Sequence, residues 1–312
     1  MYEKFREDVL RGLSLDQKAI PARWFYDRRG SELFERITQL PEYYPSRVET
    51  LLLKEYGAAI ARLVGGKRVV VEFGAGSATK TPWLLRAIEP AAYVALDISG
   101  PFLHESAQQL ARLFPKLSIT PLEADFMQPL HALQPWTQQR TLGFFPGSTI
   151  GNLTAPSAVA LLERMRTALG SGAMLLIGVD RIKPVETLLA AYDDAAGITA
   201  AFNANLLQRV NEELHADIPV ASFRHRVRWC DEEARIEMHL EAECDVAFGV
   251  AGRRFGLRSG ETIHTENSYK YARRDANLLL RSAGWSPLAE WTDPEDQFAM
   301  LLAEARCPLF AP

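Results

Sequence analysis

The run RVVVEF at 68–73 leads directly into the glycine turn GAGSATK, and this pairing constrains the chain more than any other feature. An unbroken run of apolar, β-branched residues suits a strand buried on both faces, as in a parallel sheet. The glycines after it allow the backbone a sharp turn and a close approach to a ligand. Downstream the same alternation continues. TPWLLRAI predicts a helix, YVALD a second strand, PFLHESAQQLARLF a helix and LSITPLEAD a third strand. TLGFFP predicts a fourth strand, SAVALLERMRTAL a helix ended by GSG, AMLLIGV a fifth strand, and the segment after Pro184 another helix. Five strands separated by helices predict an α/β chain with a doubly wound, Rossmann-like parallel sheet.

The flanking regions break this rhythm. Residues 1–46 read as loop-rich and aromatic, while 192–271 combines a helix, AAFNANLLQRVNEEL, with alternating segments such as FRHRVRWC and RIEMHLEAE that suggest antiparallel strands. Near the end, DANLLLRSAG predicts a helix, and WSPLAEW with QFAMLLAE predicts a strand hairpin at the edge of the main sheet. The expected organisation is therefore discontinuous. Residues 47–191 and 271–312 would form the sheet domain, and 1–46 with 192–270 a smaller α+β domain.

Composition narrows the functional classes. Hydrophobic residues make up 47% and charged residues 24%, the balance of a soluble globular protein. The 35 basic and 39 acidic residues leave a formal charge of −4, which argues against a nucleic-acid partner. Cys230, Cys244 and Cys307 form no CxxC pair, so neither a disulfide framework nor a four-thiolate metal site is expected. The charged N-terminus lacks a signal-like apolar run, and no stretch approaches about 18 apolar residues. A cytoplasmic protein without membrane attachment is the expectation.

Three classes place glycines after a first strand as Gly74 and Gly76 are placed here: dinucleotide oxidoreductases, P-loop nucleotidases and adenosylmethionine methyltransferases. Lys80 and Thr81 match a P-loop, but Thr79 stands where its second glycine should be, and a β-branched residue there opposes the phosphate-cradling backbone. The oxidoreductase fingerprint wants a small residue at the same position. Asp97 ends the second strand, 21 residues beyond Gly76, where a carboxylate can accept both ribose hydroxyls. Asp125 and Phe126 end the third strand, suited to an adenine amine and its ring face. Glu72 precedes the first glycine and is expected to face the cationic methionine part of a cofactor. Each carboxylate alone can be a solvated strand end, but the three in register favour a nucleoside cofactor.

The segments FPGSTIGNLT, AYDDAAGITAAFN and LPEYYPSR are more specific. With WFYDRRGSELFERITQLPEYYP, HTENSYKY and WTDPEDQFAMLLAE, they make the chain resemble, over nearly its whole length, the histidine-specific Nα-methyltransferases of ergothioneine biosynthesis, which form the betaine hercynine. The resemblance implies a class I methyltransferase sheet that binds S-adenosylmethionine, no metal, and a smaller domain that binds the substrate. Implied cofactor residues are Gly74, Lys80, Asp97, Asp125 and Phe126, to which the turn reading adds Gly76. Tyr43 and Tyr192 are implied at the substrate carboxylate and Asn152 at the α-amine, with Asn152 and Tyr43 the expected catalytic residues. Glu266 and Ser268 are implied at the imidazole, with Tyr26, Phe34, Gly147 and Met238 around it. The glycine loop reads GAGSATK where the family reads GSGTSEK, and Tyr269 stands where cysteine is expected; neither departure removes a named contact.

These residue types suit the chemistry. Methyl transfer from a sulfonium to nitrogen needs a lone pair, in-line approach and exclusion of water, so positioning supplies much of the rate. A neutral asparagine oxygen can accept from the amine while tolerating the cationic product, and phenols can donate to the carboxylate. A carboxylate such as Glu266 can hold an imidazole N–H. Simpler roles compete: half-buried tyrosines at 43 and 192, a turn residue at 152, surface charge at 266, and plain core for Met238. None of the six histidines is assigned a catalytic role. The chain is expected to act as a monomer on a small-molecule amino acid, trimethylating L-histidine. Alternatives are the same chemistry on another, for example aromatic, amino acid, a nucleotide-binding switch, or a non-catalytic methyltransferase-like protein.

Overall fold

The computed structural model describes residues 2–306, so Cys307 lies outside the described residues. In chain order the elements are α1 (Tyr2–Leu13), β1 (Lys18–Ala19), α2 (Arg28–Thr38), α3 (Tyr44–Val64), β2 (Val69–Phe73), α4 (Thr81–Ile88), β3 (Ala92–Asp97), α5 (Gly100–Leu113) and β4 (Ser118–Glu123). There follow β5 (Thr141–Phe145), α6 (Ala155–Leu169), β6 (Met174–Asp180), α7 (Val185–Tyr192), α8 (Ile198–Leu214), β7 (Phe223–Cys230) and β8 (Arg235–Ala242). The chain continues through β9 (Val246–Val250), β10 (Arg253–Leu257), β11 (Thr262–Tyr269), α9 (Arg273–Ser282), β12 (Trp285–Thr292) and β13 (Phe298–Ala305). These pack as two compact units, 1–44 with 183–268 and 45–182 with 269–312.

The larger unit holds a seven-stranded sheet in the order β12-β13-β6-β5-β2-β3-β4. Strands β2 to β6 are mutually parallel, and β13 and β12 add in antiparallel fashion beside β6. Every residue of β2, β5 and β6 is buried, which explains their unbroken apolar runs. Helices such as α6 cover the sheet with Leu161, Leu162 and Met165, and Trp285 packs there while its indole N–H donates to the Leu162 carbonyl. Chain order runs outward from β2 through β3 to β4, then returns to β5 on the other side of β2. That reversal is a topological switch point, where the loops after β2 and β5 leave a crevice suited to ligands.

In the smaller unit a four-stranded sheet runs β1-β11-β8-β7, beside a separate β9-β10 hairpin. β7 and β8 pair antiparallel as their alternation predicted. Three expectations are corrected. Residues 1–46 are largely helical, not loop-rich: Phe5, Val9 and Leu13 bury one stripe of α1, and Asp27 caps α2 by accepting from the Gly30 amide at 2.6 Å. In addition β1 lies parallel to β11, pairing Lys18 with Ile263 and Ala19 with His264, so this sheet is not purely antiparallel. The helix after Pro184, which the βα rhythm assigned to the parallel sheet, instead packs on β7 and β8.

Candidate active site

In the larger unit the turn after β2 takes the backbone through left-handed conformations at Gly74, Gly76 and Ala78, with φ of 75°, 51° and 53°. A Cβ on Gly76 would meet nothing within 4 Å, and one on Gly74 would meet only the Phe126 ring at 3.7 Å, so the loop is open-sided where a cofactor would lie. Asp97, at the end of β3, pins this loop by accepting from the Gly76 amide, and it also accepts from the Ser99 amide, both at 2.9 Å. Withdrawal from solvent pushes its pKa up against the lowering effect of those bonds. A carboxylate has about four acceptor positions, so these backbone amides do not exhaust it and a ribose hydroxyl can still donate to it. Asp125 accepts from the Met127 amide at 2.8 Å, and the neighbouring Phe126 ring stands edge-on to Phe145 at 5.7 Å. These residues fit an adenosyl group.

Glu72 does not lie open beside the loop. It is buried, and one oxygen accepts from both Thr81 and Tyr93 hydroxyls at 2.7 Å. Burial raises its pKa from 4.5 to about 7, despite the opposing bonds and Lys80. Because the folded value exceeds the unfolded one, Glu72 is neutral for stability below about pH 4.5. It becomes destabilising as pH rises to about 7, by on the order of 3 kcal/mol. In the cofactor-free protein, Glu72→Gln is therefore expected to be more stable than the parent at pH 8 and to lose that advantage at pH 5. Urea unfolding at both values measures it, and identical differences at the two pH values would contradict the shift.

The second loop at the switch point carries Gly147 and Asn152. Gly147 has φ of 76°, Ser148 has φ of 55°, and a short 3₁₀ turn spans Thr149–Asn152. A Cβ at Gly151 would lie 2.8 Å from the Tyr269 carbonyl oxygen, so this turn packs backbone to backbone and fixes where Asn152 begins. Asn152 is half-buried, and Lys80, which follows the glycine loop, is paired with Glu49 of α3.

The smaller unit collects the other named residues. Tyr26 stands edge-on to Phe34 at 5.7 Å, Phe34 to Tyr43 at 6.2 Å, and Tyr43 to Tyr192 at 6.3 Å. Gly30 makes this ladder compact, since a Cβ there would lie 1.7 Å from the Phe25 carbonyl oxygen. Tyr192 and Ser268 hydroxyls are hydrogen-bonded at 2.6 Å. Alternation along β11 puts His264, Glu266 and Ser268 on one face. Glu266 is half-buried, whereas Met238 is in the core of β8, its carbonyl accepting from Thr265. His264 stacks on His239 at 4.8 Å.

Sequence reasoning missed the support behind Tyr192. Asn203 donates from Nδ2 to His225 Nδ1 at 2.8 Å, and His225 Nε2 donates to the Tyr192 carbonyl at 2.8 Å. Those partners fix the neutral tautomer, in keeping with a pKa lowered by burial. The available signal was a histidine at the inward phase of β7, between exposed Arg224 and Arg226. Among the described residues no cluster could hold a metal ion, and no helix is long and apolar enough to cross a membrane.

The sheet, with its switch point, has the Rossmann-like class I methyltransferase fold. The fold is shared with magnesium protoporphyrin IX methyltransferase of Synechocystis PCC 6803, solved with bound S-adenosylhomocysteine; the TM-score is 0.51, at 13% identity over 91% of this chain and 98% of that one. Residues 5–305 match the family of S-adenosylmethionine-dependent, histidine-specific methyltransferases, and the chain belongs to it. Histidine N-alpha-methyltransferase of Mycolicibacterium smegmatis is 38% identical over 96% of this chain and 95% of its own. Ergothioneine biosynthesis protein 1 of Neurospora crassa is 28% identical over 93% of this chain and 33% of its own length. The protein is thus an enzyme that uses S-adenosylmethionine as methyl donor.

Proposed function

We propose that this enzyme methylates the α-amine of free L-histidine three times, forming hercynine for ergothioneine synthesis, as a cytoplasmic monomer that needs no nucleic acid. The larger unit would bind S-adenosylmethionine through Gly74, Gly76, Lys80, Asp97, Asp125 and Phe126. The smaller unit would bind the amino acid, with Tyr43 and Tyr192 donating to its carboxylate and Glu266 accepting from its imidazole. Ser268, whose hydroxyl is hydrogen-bonded to that of Tyr192, would lie beside Glu266 at the imidazole. Tyr26, Phe34, Met238 and Gly147 complete the surroundings.

The bound cofactor supplies an electrophilic sulfonium methyl. Asn152 would accept from the N–H groups that the amine and its first methylated products still carry and orient the nitrogen toward that methyl, each transfer leaving S-adenosylhomocysteine and one amine proton passing to solvent in each round. The supporting observation is one switch point that carries both an open-sided glycine loop pinned by Asp97 and a turn ending at Asn152. S-adenosylhomocysteine is expected to raise the unfolding midpoint, whereas NAD and GTP leave it unchanged; a hundredfold excess over Kd contributes about 2.7 kcal/mol. Mass spectrometry of a free amino-acid mixture incubated with enzyme and S-adenosylmethionine then tests the substrate. Trimethylated histidine is the expected product, and methylation of a different amino acid in its place would refute the assignment.

A further inference from the structure

Glu49 lies in the first turns of α3 and is fully buried. Its carboxylate meets three separate segments of the larger unit. The Lys80 ammonium donates to Oε2, and the Gly147 amide donates to the two oxygens at 3.0 and 2.9 Å. On β6, Gly178 leaves the room the carboxylate occupies, since a Cβ there would stand 2.1 Å from Oε1. Lys80 closes the glycine loop, and Gly147 opens the turn that ends at Asn152.

That turn needs holding. Ser148 keeps a left-handed φ of 55°, which a non-glycine residue retains only when its surroundings impose it. Ser148 Oγ also accepts from the Asp180 amide at 2.9 Å, and Asp180 pairs with buried Lys270 at 2.8 Å. The turn is thus held at two successive residues, Gly147 and Ser148. A buried ion pair is a poor way to gain stability, because an apolar side chain of similar volume fills space without desolvating charge. A carboxylate housed opposite a glycine, and shared between two loops, serves geometry better than it serves stability.

We propose that Glu49 is a positioning residue for methyl transfer: its carboxylate holds Lys80 and the Gly147–Asn152 turn at a fixed separation, so that methyl donor and acceptor nitrogen meet in line. The proposal rests on the reading that places the cofactor at 74–80 and the amine at Asn152. Glu49→Gln keeps the shape and an acceptor for Gly147 but loses the charge that fixes Lys80. In folded enzyme its kcat is expected to fall about tenfold while KM for histidine changes less than threefold, since small misplacements act on the chemical step. Glu49→Asp, which keeps the charge, should recover part of the rate. Gly178→Ala displaces the carboxylate and should give the same kinetic split. Combined with Glu49→Gln it should add little to the loss of kcat, because both act there through the same carboxylate, while the added Cβ's 2.9 Å approach to the Phe298 ring is read separately in the unfolding midpoint.

Circular dichroism establishes folding of each variant, and Glu49→Asp with Gly178→Ala carry the test if Glu49→Gln does not fold. Wild-type kcat in any folded variant that removes the Lys80 or Gly147 contact overturns the proposal, as does full additivity of the two substitutions. Lys80→Met and Asn152→Ala distinguish the two levels of inference. If both leave S-adenosylhomocysteine affinity and turnover unchanged, the underlying site reading has failed; if they impair these while Glu49→Gln does not, only the positioning role has.

Discussion

Asn152→Ala is expected to lower kcat for histidine about a hundredfold while changing KM much less. The turn that carries Asn152 is held by backbone packing of Gly151 on Tyr269 and by the bonds at Gly147 and Ser148, none of which involves the Asn152 side chain. Truncation therefore removes the amide and leaves its platform. What is lost is an acceptor that aligns the amine lone pair, and misalignment of reacting atoms by about 1 Å can cost on the order of a hundredfold. The carboxylate and imidazole contacts proposed for the smaller unit are unchanged, so substrate affinity should largely survive. An effect confined to kcat identifies an interaction that matters in the transition state. Single-turnover methyl transfer with purified, folded variant is the measurement, and an unaltered rate would take Asn152 out of the site.

Glu266→Ala should narrow the preference for histidine over phenylalanine by about a hundredfold. A carboxylate clamp cannot choose between them, because every α-amino acid satisfies it. Discrimination has to come from the side-chain end. A hydrogen bond to a charged group is worth about 1.5–3 kcal/mol, and a carboxylate left without its partner by an apolar substrate is penalised further. Glu266 shares the face of β11 with Ser268, whose hydroxyl is engaged by Tyr192, which leaves the carboxylate as the charged group proposed for the imidazole. Competition assays with the two amino acids give the ratio of kcat/KM values, and the unfolding midpoint serves as control. Full retention of histidine preference by the variant would displace the imidazole from Glu266.

The parallel sheet was readable because its central strands are buried on both faces and so carry unbroken apolar runs, from VVVEF to MLLIGVD. The closing hairpin was readable for the same reason: Phe298–Leu302 is wholly buried, and β13 indeed pairs with β6. In α1, the stripe of Phe5, Val9 and Leu13 was present at helical spacing but diluted among charges, and α2 interposes Gly30 and Ser31. The pairing of β1 with β11 involves two residues and has no periodicity to detect. Glu49 illustrates the harder limit. In sequence it is one glutamate of an amphipathic helix, and its only correlate is a glycine on β6, 129 residues later, that makes sense solely once the carboxylate is seen beside it. Asp97 and the glycines were legible because strand-end chemistry is local, whereas the His225 support of Tyr192 depends on a contact between a strand and the end of a distant helix.

The position of β13 bears on how the protein is made. The last strand of the described chain sits inside the sheet, between β12 and β6. Until Phe298–Ala305 has left the ribosome, the nascent β6 presents a largely apolar strand with one edge unpaired, the sort of edge that captures strands of other chains. The smaller unit waits as well, because β1 pairs with β11, from which the larger unit's parallel strands separate it in sequence. Neither unit can close as a contiguous fragment, so a chain stalled or clipped before Thr262 would be a candidate for chaperone capture or aggregation, while β11 and β13 supply the two closures.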